Sequence, residues 1–263
     1  MNDQRVSFSL RDGVATVTLC CPQQANSIGV EMSRQLYEAA VRCDCDEVRA
    51  VLLQAEGPIF CAGGDVKAFG AAGDALPDLL AEILAPMHAA IARFSQMNAP
   101  LIVAVGGPAA GGGLGLACAG DLVLAADTAK FAIAYTRIGL TPDVSSTYFV
   151  PRRIGLARTK SMLLCNPVLD AATALEWGLV DRVVAAADLG SEAAKLAREF
   201  ASGPTSAFGA VKRLLLATLT NDLQTQLDLE ARTICEMGAT DDGKEGIRAF
   251  LEKRPARFGR SPK

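Results

Sequence analysis

Histidine is almost absent from this 263-residue chain: His88 stands alone. One imidazole excludes a multi-histidine metal site, and any Ser-His or Cys-His mechanism would have to use that residue. Aromatic residues make up 5% of the chain, too few for platforms that stack nucleic-acid bases. Neither sign of charge is in large excess: 26 basic residues face 29 acidic ones, for a formal net charge of −3. No global electrostatic footprint for nucleic acid follows from that balance. The eight cysteines (20, 21, 43, 45, 61, 118, 165 and 235) include no C-x-x-C pair, so zinc-ribbon and thioredoxin patterns are missing. They read as small apolar fillers in a reducing compartment. The polar opening Met1-Asn2-Asp3-Gln4-Arg5 lacks the apolar core of a signal peptide. The uncharged stretch 98–120 carries seven glycines and two prolines, too many breakers for a lipid-facing helix. A cytoplasmic protein with no membrane and no nucleic-acid partner is expected.

Half of the residues are apolar and 21% are charged, the balance of a globular protein with a large core. Val6 to Leu19 alternates around Arg11-Asp12-Gly13 and reads as a hairpin ended by Pro22. Met32, Leu36, Ala39 and Ala40 have helical spacing within 29–43. Ala50-Val51-Leu52-Leu53 and Leu101 to Val105 are short continuous apolar runs, the mark of strands covered on both faces. A further strand is expected over 121–126 and another over 179–184, with helices over 78–94, 151–164 and 171–178. After Gly190 every segment reads as helix. The fold class is therefore α/β, divided as a core domain over 1–189 and a helical region over 190–263.

Two glycine turns stand out. Phe60-Cys61-Ala62-Gly63-Gly64-Asp65 follows one buried strand, and Ala109-Ala110-Gly111-Gly112-Gly113-Leu114-Gly115 follows another and opens an apolar helix. Glycines let backbone N–H groups turn toward a ligand, and the second set lies at a positive helix terminus. Two such turns aimed at one atom would form an oxyanion hole without any side chain. No G-K-[ST] follows either run, and no G-x-S-x-G exists, so the P-loop and the hydrolase elbow are excluded.

Together the turns resemble the enoyl-CoA hydratase/isomerase (crotonase) superfamily. Further matches are Asp121, Ala129-Lys130-Phe131, Ile138-Gly139-Leu140-Thr141-Pro142-Asp143, Glu176-Trp177-Gly178-Leu179-Val180 and Phe250-Leu251-Glu252-Lys253-Arg254. The resemblance implies a ClpP-like spiral of ββα units with a helical C-terminal trimerisation region, hence a homotrimer or dimer of trimers. It implies acyl-CoA thioester substrates, with coenzyme A entering as part of the substrate, no permanently bound cofactor and no metal. It maps the oxyanion donors onto Ala62 and Gly112. It places Ala25, Asn26, Ser27 and Ile28 along the pantetheine and adenine, joined by Cys61, Gly63, Gly64 and Asp65 as the CoA-binding set, with Lys253 near the CoA of a neighbouring subunit. Asp65 also suits a helix cap. Six basic residues between Arg248 and Lys263 fit an anionic partner such as a CoA phosphate.

The family's two hydratase glutamates fall on Gly115 and Tyr135 in this chain. Neither can replace a carboxylate pair, so water addition in its usual form is not expected. Asp143 remains as the catalytic carboxylate, resembling the 1,2-epoxyphenylacetyl-CoA isomerase branch. Held among Ile138, Val144 and Phe149, it would have its basicity raised and could move a proton between α and γ carbons. That is Δ3/Δ2 enoyl-CoA isomerisation, or isomerisation of the epoxyphenylacetyl-CoA type. A helix cap is the plainer role for Asp143. Leu84, His88 and Ile91 share a helical face, so His88 is expected to point inward; His88 and Tyr135 are auxiliary candidates. The His88 to Asp143 spacing also resembles the 4-chlorobenzoyl-CoA dehalogenase branch. A hydratase with a non-standard acid and base, and an inactive CoA-binding or RNA-binding relative, stay open.

Overall fold

The computed structural model describes residues 4–259. The chain opens with the expected hairpin, β1 (Val6–Arg11) and β2 (Val14–Leu19), followed by α1 (Val30–Cys43), β3 (Ala50–Ala55), α2 (Val66–Ala72) and α3 (Leu76–Gln96). Next come β4 (Leu101–Val105), β5 (Ala109–Ala110), α4 (Gly112–Cys118), β6 (Leu122–Ala126) and β7 (Lys130–Ala132). Then follow α5 (Ser146–Cys165), β8 (Val168–Asp170), α6 (Ala171–Trp177) and β9 (Arg182–Val184). Four helices close the chain: α7 (Leu189–Ala201), α8 (Thr205–Ala217), α9 (Leu223–Ala239) and α10 (Asp241–Leu251).

Six strands form one sheet in the order β1-β2-β3-β4-β6-β9, and β5-β7-β8 form a small second sheet. Only the β1–β2 pair in the large sheet is antiparallel. Side chains of a strand alternate between faces, and both faces here are covered. Val51, Leu53, Leu101, Val103, Val105, Val123 and Ala125 belong to one apolar cluster with Leu36 of α1 and Met87 and Phe94 of α3. Their neighbours Ala50, Leu52, Ile102, Ala104, Leu124 and Ala126 pack instead on Leu189, Ala193, Leu196 and Ala197 of α7. Burial on both sides is the reason these strands carry unbroken apolar runs.

The helix α7 is thus a layer of the core. The boundary drawn at 189/190 falls just inside it, because the second sheet face needs a cover that only this helix supplies. Lys212 of α8 is also tied in: its ammonium donates to Phe94 O (2.9 Å) and Ala99 O (3.0 Å) and pairs with Asp121 (2.8 Å). Asp121 in turn accepts from Leu101 N. Burial weakens the charged form of both partners.

The stretch 66–96 is long and apolar enough by composition to cross a membrane, with a mean hydropathy of 1.3. It is broken by a turn at Gly73–Ala75, and α3 buries Ile83, Met87, Ala90, Ile91 and Phe94 inside the protein. Among the cysteines, all eight are free. Cys43, Cys61 and Cys118 are buried and inert, burial pushing the first two thiols up to about 12 and the third to about 11. Cys45, Cys165 and Cys235 are exposed, so the filler reading does not extend to them.

Candidate active site

Strands β3 and β4 run parallel in register, Leu53 opposite Val103, so the segments that follow them leave the same edge of the sheet. That edge is where ligands gather in α/β sheets. The two glycine turns meet there. Phe60 N and Cys61 N donate to Pro108 O (3.1 and 3.3 Å), and Ala110 N donates back to Cys61 O (2.9 Å). Gly63, at φ +89°, comes so close that a Cβ on it would lie 2.8 Å from Ala110 O and 3.3 Å from Gly112 N. Only glycine meets both demands, the left-handed backbone and the contact.

The segment Ala25-Asn26-Ser27-Ile28 pairs with the first turn, as the resemblance implies. Ile28 N donates to Gly63 O (2.7 Å) and Asp65 N to Ile28 O (3.1 Å). The same pairing corrects the expected donor set. Ala62 N is committed to Ala25 O at 3.0 Å, so it is not free to hold an oxyanion. Among the described residues, Gly64 N donates to no protein acceptor, and neither does Gly112 N in the first turn of α4. The Phe69 ring lies over Gly64, where a Cβ would meet Cζ at 2.5 Å.

A cavity of ≈ 250 Å³ opens beside these glycines. Phe69, Leu80, Leu84, Ile138 and Leu140 supply apolar walls, and Ala62, Gly63, Gly64, Ala110 and Gly111 a backbone edge. Asp143 is the one carboxylate in its lining, with Tyr135 beside it. The Tyr135 hydroxyl donates to Asp143 Oδ1. Burial raises the Asp143 pKa above the ordinary range, opposed by the Tyr135 hydrogen bond and by the charge of His88. Burial and the adjacent carboxylate likewise make Tyr135 harder to ionise.

Asp143 is not a side-chain cap. The residue before α5 is Ser145, in a left-handed conformation (φ 60°), and Asp143 contributes its carbonyl, which accepts from Ser146 N at 2.9 Å. Val144 is left-handed as well (φ 45°), a costly state for a β-branched residue, on the order of 1–3 kcal/mol. This strained corner presses on α4: a Cβ on Gly115 would lie 2.2 Å from Val144 O and 2.6 Å from Ser146 Oγ. Phe149, expected beside Asp143, lines a different hollow together with His88, Ser145, Tyr148 and Leu216. His88 itself is exposed. The inward reading fails because the buried stripe of α3 runs through Ile83, Met87, Ala90, Ile91 and Phe94, and His88 is one step off it.

Asn26 is buried as a clip: its side chain accepts from Cys21 N and donates to Glu56 O and Ile59 O. Ser27 is half-buried beside it. Cys61 is buried between the two turns, its Sγ 2.8 Å from where a Gly113 Cβ would stand. Asp65 caps α2, accepting from Lys67 N and Ala68 N at 3.1 Å each. Lys253 is exposed after α10 and does not line the cavity. In the basic tail Arg254 is bound to Glu245 and Glu252, and Arg260 and Lys263 lie outside the described residues. Two features carry no sequence pattern: the Tyr135–Asp143 bond, across an irregular turn, and the Phe69 ring over Gly64.

The family model for enoyl-CoA hydratase/isomerase matches residues 9–261. The chain is 39% identical over 249 residues to the 1,2-epoxyphenylacetyl-CoA isomerase of Escherichia coli K12, covering 94% of this chain and 95% of that one. It is 34% identical over 236 residues to the 4-chlorobenzoyl coenzyme A dehalogenase-2 of Arthrobacter sp, covering 89% and 85%. An enoyl-CoA hydratase crystal structure from Polaromonas sp. JS666 superimposes with a TM-score of 0.91 at 30% identity, covering 96% of this chain and 98% of that one.

Proposed function

The chain belongs to the enoyl-CoA hydratase/isomerase family, and from that premise we propose that it isomerises enoyl-CoA thioesters, shifting the double bond between the Δ3 and Δ2 positions. The observation that carries this reading is Asp143, the one carboxylate in the cavity that the two glycine turns border. Hydration in the usual form needs a carboxylate pair. Here Gly115 has no room for a side chain, and Tyr135 is held neutral by burial and by Asp143.

In this mechanism the thioester oxygen accepts from the Gly64 and Gly112 N–H groups. Asp143 takes a proton from the α carbon, and the electron pair spreads into a dienolate stabilised by those two donors. The same carboxyl returns the proton to the γ carbon, leaving the double bond conjugated with the thioester and Asp143 ionised as it began. The apolar walls suit an uncharged acyl group, and the raised pKa of Asp143 strengthens it as a base. The enzyme acts as a cytoplasmic homotrimer or dimer of trimers, with CoA carried by the substrate and no resident cofactor.

One observation favours a second reading: His88 is near enough for its charge to act on Asp143. In hydrolytic dehalogenation Asp143 would attack an aromatic ring and His88 would activate the water. The deciding experiment follows 3-enoyl, 2-enoyl, epoxyphenylacetyl and 4-chlorobenzoyl thioesters by mass spectrometry with the wild type and Asp143→Asn. We expect 3-enoyl turnover that falls roughly 10²-fold or more in the variant with CoA affinity little changed. Unchanged isomerisation in Asp143→Asn would refute the assignment.

A further inference from the structure

We propose that Tyr135 is the positioning residue for Asp143: its hydroxyl pins one carboxylate oxygen and leaves the other as the oxygen that meets the substrate. This rests on the reading of Asp143 as the base.

The geometry is specific. Tyr135 lies in the short turn Tyr135–Ile138, and its hydroxyl donates to Asp143 Oδ1. Its ring passes Gly111, where a Cβ would be 3.9 Å from Cζ, and its hydroxyl would be 3.5 Å from a Cβ on Gly112. The phenol therefore sits between the second glycine turn and the carboxylate. Nearby is Ser146, whose Oγ is fully enclosed. That hydroxyl is close enough to Tyr135 to ease the phenol's ionisation. A carboxylate on a strained corner, next to left-handed Val144 and Ser145, needs an external tether to hold one rotamer. Tyr135 is that tether.

The tether also sets the proton affinity of the base. A donor to a carboxylate favours its charged form. Burial works in the opposite direction at Asp143, and His88 of α3 joins Tyr135 in opposing burial. Among the described residues these are the titratable side chains whose influence reaches Asp143. Without the phenol hydroxyl, the carboxylate would keep its desolvation and lose its nearest compensation. It would then protonate at higher pH.

The test reads Asp143 directly, by carbon-13 NMR of enzyme labelled at aspartate carboxyls, with the resonance assigned from Asp143→Asn. Tyr135→Phe removes the hydroxyl and keeps the ring against Gly111. It should raise the Asp143 midpoint by roughly one to two pH units, the shift expected for losing a hydrogen bond to a charged group. The acid limb of kcat/KM for a 3-enoyl-CoA should move up with it. Replacing tyrosine by 3-fluorotyrosine, a more acidic and stronger donor, should move the midpoint down, and this arm stands even if Tyr135→Phe does not fold. A midpoint unmoved by either change overturns the proposal. The two readings separate cleanly. If Asp143→Asn keeps full turnover while Tyr135→Phe shifts the midpoint, the base assignment fails and the pairing stands. If Asp143→Asn abolishes turnover and the midpoint stays, the pairing fails alone.

Discussion

Gly115 and Val144 meet backbone to backbone: the carbonyl oxygen of Val144 lies 2.2 Å from where a Gly115 side chain would begin. The hydratase-type glutamate is therefore excluded from this position by the Asp143–Ser146 corner itself. Installing it as Gly115→Glu should not create a hydratase. The new side chain must push Val144 and Ser146 away and bury a carboxylate, which should destabilise the fold by several kcal/mol. Thermal denaturation and a crotonyl-CoA hydration assay measure both effects; efficient hydration by the variant would contradict the packing described.

His88 should matter through charge and not through packing. Its charge lowers the Asp143 pKa, so removing it raises that pKa. In the proposed mechanism the base is ionised Asp143, so activity should be lost as pH falls through its pKa. His88→Gln should therefore move the acid limb of kcat/KM to higher pH, while the plateau changes less than about tenfold. Stability should hardly change, since the residue is exposed. A mass increase trapped on the Asp143 peptide of this variant with 4-chlorobenzoyl-CoA would favour dehalogenation instead.

Lys212→Met should cost more stability than any surface change. It removes the cation shared by Asp121, Phe94 O and Ala99 O, leaving two carbonyls without that donor and Asp121 with only its bond from Leu101 N and no ammonium partner. About 1–3 kcal/mol is the expected loss. Urea denaturation gives the number, and the double change Lys212→Met with Asp121→Asn should recover part of it.

The protein should sediment as a trimer or hexamer at micromolar concentration. Leu215, Leu223, Ile234, Phe250 and Leu251 on the last three helices, and Leu219 between two of them, are each at least 64% exposed, an apolar surface that a monomer rarely leaves uncovered. A monomer in sedimentation velocity would refute this.

Much of this architecture was legible in the sequence because the parallel strands are buried on both faces, and apolar runs such as Leu101 to Val105 announce that directly. The glycine turns were legible for the same kind of reason, since close backbone approach needs glycine. The exchange of Ala62 for Gly64 was not, because which N–H remains free depends on the pairing of Ala25 with Ala62, 37 residues apart in the chain and set by tertiary contact. The small sheet β5-β7-β8 escaped notice because its strands are two or three residues long, too short for a period to develop. The inward reading of His88 fails because spacing by four from Leu84 and three from Ile91 fits a face whose edge, not centre, it occupies.

The register of Leu53 against Val103 has a meaning for quality control of the fold. A slip of one residue between these strands displaces one turn from the other by about 3.3 Å, more than a hydrogen bond tolerates. A molecule paired one step out would keep its helices but turn one strand's side chains to the wrong faces and part the two glycine turns. Specific activity is thus a stricter gauge of native pairing in this protein than circular dichroism or compactness, and a preparation whose activity falls while both hold steady should be examined for strands paired out of step.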